Sequence, residues 1–121
     1  MYPMVSIENF FKSFKHAFSG IVVAFSENQN LFIHSLIATA VVGTAIILGF
    51  SQTDFIFILV MIVLVLSAEM INTAIEEVVN LLVKEHRAEA KIAKDVSAGM
   101  VLLISLLAFT VGFMIFVSYL F

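Results

Sequence analysis

Residues 55–80 read FIFILVMIVLVLSAEMINTAIEEVVN, and this stretch decides the fold. From Phe55 to Leu66 every residue is apolar; Glu69, Asn72, Glu76, Glu77 and Asn80 then follow, with no breaker until about Val83. At a rise of about 1.5 Å per residue, a helix over 55–83 is longer than the roughly 30 Å hydrocarbon core of a bilayer. It is therefore expected to cross the membrane and bring its polar half to one boundary. If Phe55 enters at the far side, Glu69 lies roughly 21 Å in, Asn72 roughly 26 Å and Glu76 roughly 31 Å. Glu76 then stands at the near boundary and Glu69 inside the apolar zone.

The polar residues share a face. Steps of three, four and four residues from Glu69 to Asn72, Glu76 and Asn80 place them within about 80° on a helical wheel. Glu77 points about 100° away from Glu76. Amides and hydroxyls such as Asn72, Thr73 and Ser105 can serve as interhelical glue. A buried carboxylate costs at least about 2–3 kcal/mol, so Glu69 and Glu76 are read as functional.

Working outward, the same logic gives two more spans. Residues 31–50 and 94–120 are long apolar stretches, separated from 55–83 by the turn at 49–54 and by the charged run KEHRAEAKIAKD at 84–95. Residues 5–28 read as an amphipathic surface helix. Phe10, Phe14, Ala17, Phe18, Ile21 and Phe25 recur at spacings of three and four, with Lys12, Lys15 and His16 on other faces. The fold expected is an all-α membrane protein: an N-terminal surface helix plus three transmembrane helices in one domain over 1–121. Composition agrees. The chain has 121 residues, 62% of them hydrophobic, and a mean hydropathy of +1.14; a soluble domain of this size has too little interior to hide so much apolar surface.

Charge fixes the expected orientation. Lys84, Arg87, Lys91 and Lys94 lie in the 84–95 run, whereas the 49–54 turn has no cation. The positive-inside rule therefore places 84–95 and the surface helix in the cytoplasm, with the C-terminus outside. The first thirty residues carry charges throughout and no small-residue cleavage pattern, so insertion is expected to rest on the internal apolar segments. A net charge of −3 with six Lys and Arg argues against a nucleic-acid partner. Cysteine is absent, which excludes disulfides and thiolate metal sites.

Carboxylates and an amide at one level suit a hard divalent cation, since Mg²⁺ takes oxygen ligands and is often held by one or two carboxylates plus phosphate oxygens. A nearby Lys94 would hold a phosphate, and a deeper carboxylate would accept a proton from a lipid hydroxyl. Such parts suit phosphoryl transfer, which needs positioning and charge neutralisation above all. They also suit an ion or proton path, although the dry stretch from Phe55 to Leu66 counts against conduction. Lys91 and Asp95 are i,i+4 neighbours and so have an alternative as a simple pair. No Gly-rich phosphate loop or protein-kinase signature is present.

Glu69-Met70-Ile71-Asn72-Thr73-Ala74-Ile75-Glu76 resembles the signature of the small prokaryotic diacylglycerol kinase family, E-x-x-N-[ST]-A-I-E-x-x-V-D. Ala93-Lys94-Asp95 matches its A-K-D element, and Ser97-Ala98-Gly99 its small-residue run. Phe14 to Gly20, Ile33-His34 and Ala90 to Asp95 are more similar to the undecaprenol kinase branch.

The resemblance implies a homotrimer with shared sites in the cytoplasmic membrane, MgATP as phosphoryl donor and a membrane lipid alcohol, undecaprenol or diacylglycerol, as acceptor. It implies Glu69, Asn72, Lys94 and Asp95 as catalytic residues, with Glu69 the base. Lys12, Asn80, Glu85 and Lys94 are the implied nucleotide contacts, and Glu76 a metal ligand. The family's second metal-ligand Glu is Asn28 here, with Glu27 adjoining as a substitute. Asn80 replaces a closing Asp, and Phe32 an Arg. Asn28 is expected to offer its carbonyl oxygen to the metal, so that Asn28→Glu lowers the Mg²⁺ requirement. The alternative is a catalytically weak member acting as a membrane assembly or regulatory subunit.

Overall fold

The computed structural model describes residues 5–121, and these form four helices: α1 Ile7–Glu27, α2 Gln29–Leu48, α3 Gln52–Leu82 and α4 Ala88–Leu120. The protein is an all-α membrane protein. α2, α3 and α4 are each long and apolar enough to cross a bilayer, and α1 is amphipathic, with Phe10, Phe11, Phe14 and Phe18 exposed along it. An uncovered Phe face flanked by cations fits a helix lying in the membrane interface.

Side-chain caps set where α1, α2 and α3 begin. Ser6 starts α1, its Oγ accepting from the Asn9 N–H. Asn28 divides α1 from α2. Its own N–H donates to the Ala24 carbonyl, while its Oδ1 accepts from the N–H groups of Asn30 at 2.9 Å and Leu31 at 3.2 Å. This cap starts α2 at Gln29, ahead of the expected 31. Gly49 closes α2 in the left-handed conformation, φ 70°, where a Cβ would be strained. Ser51 caps α3 and moves its start from the expected 55 to Gln52. α4 starts at Ala88 rather than 94. The residues AEAKIAKD are strong helix formers, and Lys91 pairs with Asp95 one turn on. The charged run is thus a loop only over 83–87, and Lys91, Lys94 and Asp95 stand on a helix.

α3 is the centre of the fold. Its Ile58, Val65, Ala68, Glu69 and Asn72 are buried, together with Ala24 of α1, Leu31 and Ala45 of α2, and Ser97 of α4. Most other apolar side chains point outward, as a lipid solvent permits.

At the end opposite the polar cluster, Tyr119 ties α4 to the α2–α3 turn. Its hydroxyl donates to Asp54 Oδ2 at 2.7 Å and accepts from the Ser51 N–H at 2.7 Å, and its ring stacks on Phe50 at 4.4 Å. Tyr119→Phe keeps the stacking and removes both hydrogen bonds. A net hydrogen bond is worth about 1 kcal/mol and an orphaned polar group somewhat more. Thermal denaturation in detergent is expected to show a midpoint a few degrees lower (roughly 3–8 °C), with activity retained below it.

Candidate active site

The polar face of α3 meets three different neighbours as it approaches the boundary. Deepest is Glu69, only 3% exposed. Its Oε2 accepts from Asn28 Nδ2 at 3.2 Å, and its Oε1 lies 3.4 Å from His34 Nε2 on α2. The same Asn28 amide donates to Thr73 Oγ1 at 2.6 Å, and the Thr73 hydroxyl donates to the Glu69 carbonyl. Each carboxylate oxygen therefore faces a nitrogen from the start of α2, which offsets the cost of burying it. The α2 cap puts Asn28 here: one amide oxygen holds the helix end, leaving its NH₂ to face α3.

One turn nearer the boundary, Asn72 Nδ2 donates to Glu76 Oε1 at 3.2 Å. Asn72 is buried, yet its Oδ1 has no hydrogen-bond partner among the described residues. Beside a half-buried carboxylate, such an orphaned oxygen suits a cation ligand: Asn72 Oδ1 and Glu76 are two oxygen donors one turn apart. Among the described residues no group of three or more His, Cys, Asp or Glu gathers to hold a metal. The protein would thus supply few ligands and leave the rest to phosphate and water, the usual pattern for Mg²⁺.

Outermost, Lys94 Nζ donates to Asn80 Oδ1 at 2.6 Å. Both border a hollow of about 160 Å³ that Glu85, Arg87, Lys91 and Asp95 also line. Asn80 is a neutral acceptor, so it positions the ammonium without cancelling its charge. Asp95 pairs with Lys91 on the same helix face.

The structure thus brings Asn28, Glu69, Asn72 and Glu76 together along the inner side of α3, and Asn80, Glu85, Lys94 and Asp95 around one hollow. Two candidates stay apart within the chain. Lys12 pairs with Glu8 at 3.2 Å on exposed α1. Glu27 is exposed at the end of α1, and its side chain makes no hydrogen bond or ion pair among the described residues. Asn28 is present at the site, but its oxygen is spent on the α2 cap and its nitrogen faces Glu69.

His34 is the functional candidate that the sequence reading passed over, having taken it only as a mark of the branch. A signal was available. It is the sole ionisable side chain between Leu31 and Phe50, and an ionisable group inside a span is a functional candidate by default.

Between α2, α3 and α4 runs an apolar groove of about 570 Å³, from His34 at one end to Phe116 at the other. His34 and Ser105 are its only polar lining side chains among the described residues.

Comparison with known proteins gives the family. The family model described as prokaryotic diacylglycerol kinase matches residues 15–116. Undecaprenol kinase from Bacillus subtilis (strain 168) is 34% identical over 110 residues, covering 91% of this chain and 89% of that protein. Diacylglycerol kinase from Synechocystis sp. (strain ATCC 27184 / PCC 6803 / Kazusa) is 38% identical over 105 residues, covering 86% of this chain and 60% of that longer protein. With a matching family model over most of its length and a relative of similar size, the chain belongs to the prokaryotic diacylglycerol kinase family of membrane lipid kinases.

Proposed function

We propose that the protein transfers the terminal phosphoryl group of ATP to the hydroxyl of a membrane lipid alcohol, at the cytoplasmic boundary of the membrane. One observation carries the reading: a buried carboxylate, Glu69, is held with His34 at the polar end of an apolar groove, in line along α3 with Asn72, Glu76 and Asn80. The groove suits a hydrocarbon chain, and the Glu69–His34 end is where its hydroxyl gives up a proton. Asn72 and Glu76 would hold Mg²⁺, which when bound neutralises charge on the phosphates. Lys94, set by Asn80, and the hollow that Glu85 and Asp95 help to line would take the nucleotide's phosphates. Phosphoryl transfer asks for this kind of positioning and charge compensation.

The acceptor we favour is undecaprenol, because the relative of similar length bears that name and the Ile33-His34 pair resembles that branch. Several site groups stay open to the outside of the chain: Asn80 and Asp95 are exposed and Glu76 half-buried. This openness supports a homotrimer in which neighbouring copies complete each site, and there exposed Lys12 and Glu27 would find their partners. The test is phosphate transfer from radiolabelled ATP in mixed micelles, with undecaprenol and diacylglycerol compared. Transfer to neither lipid would favour an assembly or regulatory role instead.

Orientation has its own test. The native chain has no cysteine, so single cysteines at Ser51 and Glu89 can be labelled cleanly. An impermeant thiol reagent on intact cells is expected to reach position 51 and not 89. The opposite pattern would put the polar cluster on the side away from cytoplasmic ATP.

A further inference from the structure

Ser105 stands on α4 in the wall of the apolar groove, and its Oγ is buried with no hydrogen-bond partner among the described residues. Other span hydroxyls are satisfied locally: Thr39, Thr44, Thr110 and Ser118 each donate to a carbonyl about one turn back on their own helix. Such back-bonding spares a hydroxyl the cost of facing hydrocarbon unpaired. A span serine can instead tie two helices together, and Ser105 makes no such tie among the described residues. Alanine at this position would pack as well and leave no orphaned oxygen, so the hydroxyl is explained by a ligand and not by the fold.

Two pairs that lock α3 to α4 give the depth of Ser105. Lys94 meets Asn80 at one end, and Tyr119 meets Asp54 at the other. Ser105 is eleven residues beyond Lys94, and Glu69 is eleven before Asn80. Counted from the other end, Ser105 is fourteen residues before Tyr119, and Ala68 is fourteen after Asp54. Both helices rise alike per residue, so Ser105 and Glu69 lie at one level. His34 on α2 shares that level, since its Nε2 is 3.4 Å from Glu69 Oε1. The two polar side chains of the groove therefore flank the same end, next to the buried carboxylate, and the rest of the lining is apolar.

We propose that Ser105 is a binding residue for the lipid alcohol: its Oγ–H donates to the acceptor's hydroxyl oxygen at the polar end of the groove and so turns that hydroxyl's proton toward Glu69. This inference rests on the kinase reading above and adds to it a residue, outside both signature elements, that recognises the reacting oxygen. A hydroxyl oxygen carries two lone pairs and one proton. With Ser105 on a lone pair, the proton stays free for the carboxylate. The occupant that suits an apolar groove with hydrogen-bonding groups at one end is a long hydrocarbon with a terminal alcohol.

The experiment compares wild type, Ser105→Ala and Thr110→Ala in mixed micelles, by phosphate transfer to undecaprenol and by thermal midpoint. Ser105→Ala is expected to lower kcat/KM for undecaprenol roughly tenfold, the scale of one hydrogen bond, mainly through a higher lipid KM, with the KM for ATP unchanged. Its midpoint is expected to equal or exceed that of wild type, since removing an orphaned polar group is neutral or stabilising. Thr110→Ala, on the same helix but bonded to the Leu106 carbonyl, is expected to leave transfer unchanged. A second readout needs no turnover. Undecaprenyl methyl ether keeps the oxygen but has no proton to give. It is expected to raise the wild-type midpoint more than the matching hydrocarbon does, and Ser105→Ala is expected to respond to the two alike. Wild-type kcat/KM in Ser105→Ala, or an ether response that survives the substitution, overturns the proposal while leaving the kinase reading intact. A lowered midpoint in Ser105→Ala also overturns it, by making the serine a tie between helices. Wild type inert toward every lipid alcohol overturns both.

Discussion

Glu76→Gln is expected to lower phosphoryl transfer by roughly a thousandfold, the scale seen when one preorganised electrostatic contact is removed from a transition state. The substitution changes little else. Gln keeps the length of the side chain, and its amide oxygen still accepts from Asn72 Nδ2, the bond that Glu76 Oε1 makes now. Half-buried at the edge of the site, position 76 has room for the added NH₂. What disappears is the single negative charge beside the orphaned Asn72 oxygen. Hard cations dehydrate reluctantly, and a neutral amide offsets that cost far less than a carboxylate. Raising Mg²⁺ is therefore expected to recover only a small part of the rate. Steady-state transfer over a Mg²⁺ series, with helix content checked by circular dichroism, decides it. Near-normal turnover in Glu76→Gln would remove Glu76 from the metal-binding role.

How much of this was legible in the sequence differs between levels. The spans could be read because lipid as a solvent demands long unbroken apolar stretches, and 55–66 meets that demand without ambiguity. The polar face of α3 could also be read, since Glu69, Asn72, Glu76 and Asn80 lie on one helix and a helix has a fixed period. Contacts between helices were a different matter. That Asn28 meets Glu69 depends on where α2 starts, and α2 starts at Gln29 because the Asn28 side chain caps it. A periodicity argument sees the apolar stretch begin at Leu31 and misses the helix start by two residues. His34 reaches Glu69 only once α2 is packed against α3 in a given register. Tyr119 meeting Asp54 and Ser51 needs the same knowledge for α4.

The departures from the family pattern also gain physical content. Asn80, in place of an Asp, accepts from Lys94 at 2.6 Å. An Asp there would form an ion pair with the ammonium; the neutral amide fixes the side chain without cancelling its charge. Phe32 is 54% exposed on α2. An apolar ring at that exposure suits a lipid-facing position. The chain has thus kept Glu69 and Glu76 on α3 and altered groups around them, a pattern compatible with retained transfer.

Asn28→Asp is expected to have the largest effect on stability. Asp is nearly isosteric with Asn, and one of its oxygens can still cap α2 by accepting from Asn30 and Leu31 N–H. The other oxygen would replace Nδ2, which now lies 3.2 Å from Glu69 Oε2 and 2.6 Å from Thr73 Oγ1. A favourable hydrogen bond to a buried carboxylate becomes a contact between two negative charges. Leaving a buried charge uncompensated costs about 3–5 kcal/mol, and His34 can offset only part of it from the far oxygen of Glu69. In chelator, the thermal midpoint of the variant is expected to fall by roughly 10 °C or more. A divalent cation binding between the two carboxylates would relieve the repulsion, so saturating Mg²⁺ is expected to restore most of the loss while moving wild type little. The geometry therefore changes what a carboxylate at position 28 does. The sequence pattern alone made it a simple gain of one ligand and a lower Mg²⁺ requirement; the cap and the Glu69 contact make the folded state itself depend on the metal. Differential scanning fluorimetry of both proteins with and without Mg²⁺ checks this directly. Equal midpoints in chelator would mean that Asn28 does not donate to Glu69 in the membrane. A drop that Mg²⁺ fails to restore would mean that position 28 and Glu69 do not form a cation site between them, leaving Asn72 and Glu76 to hold the metal alone.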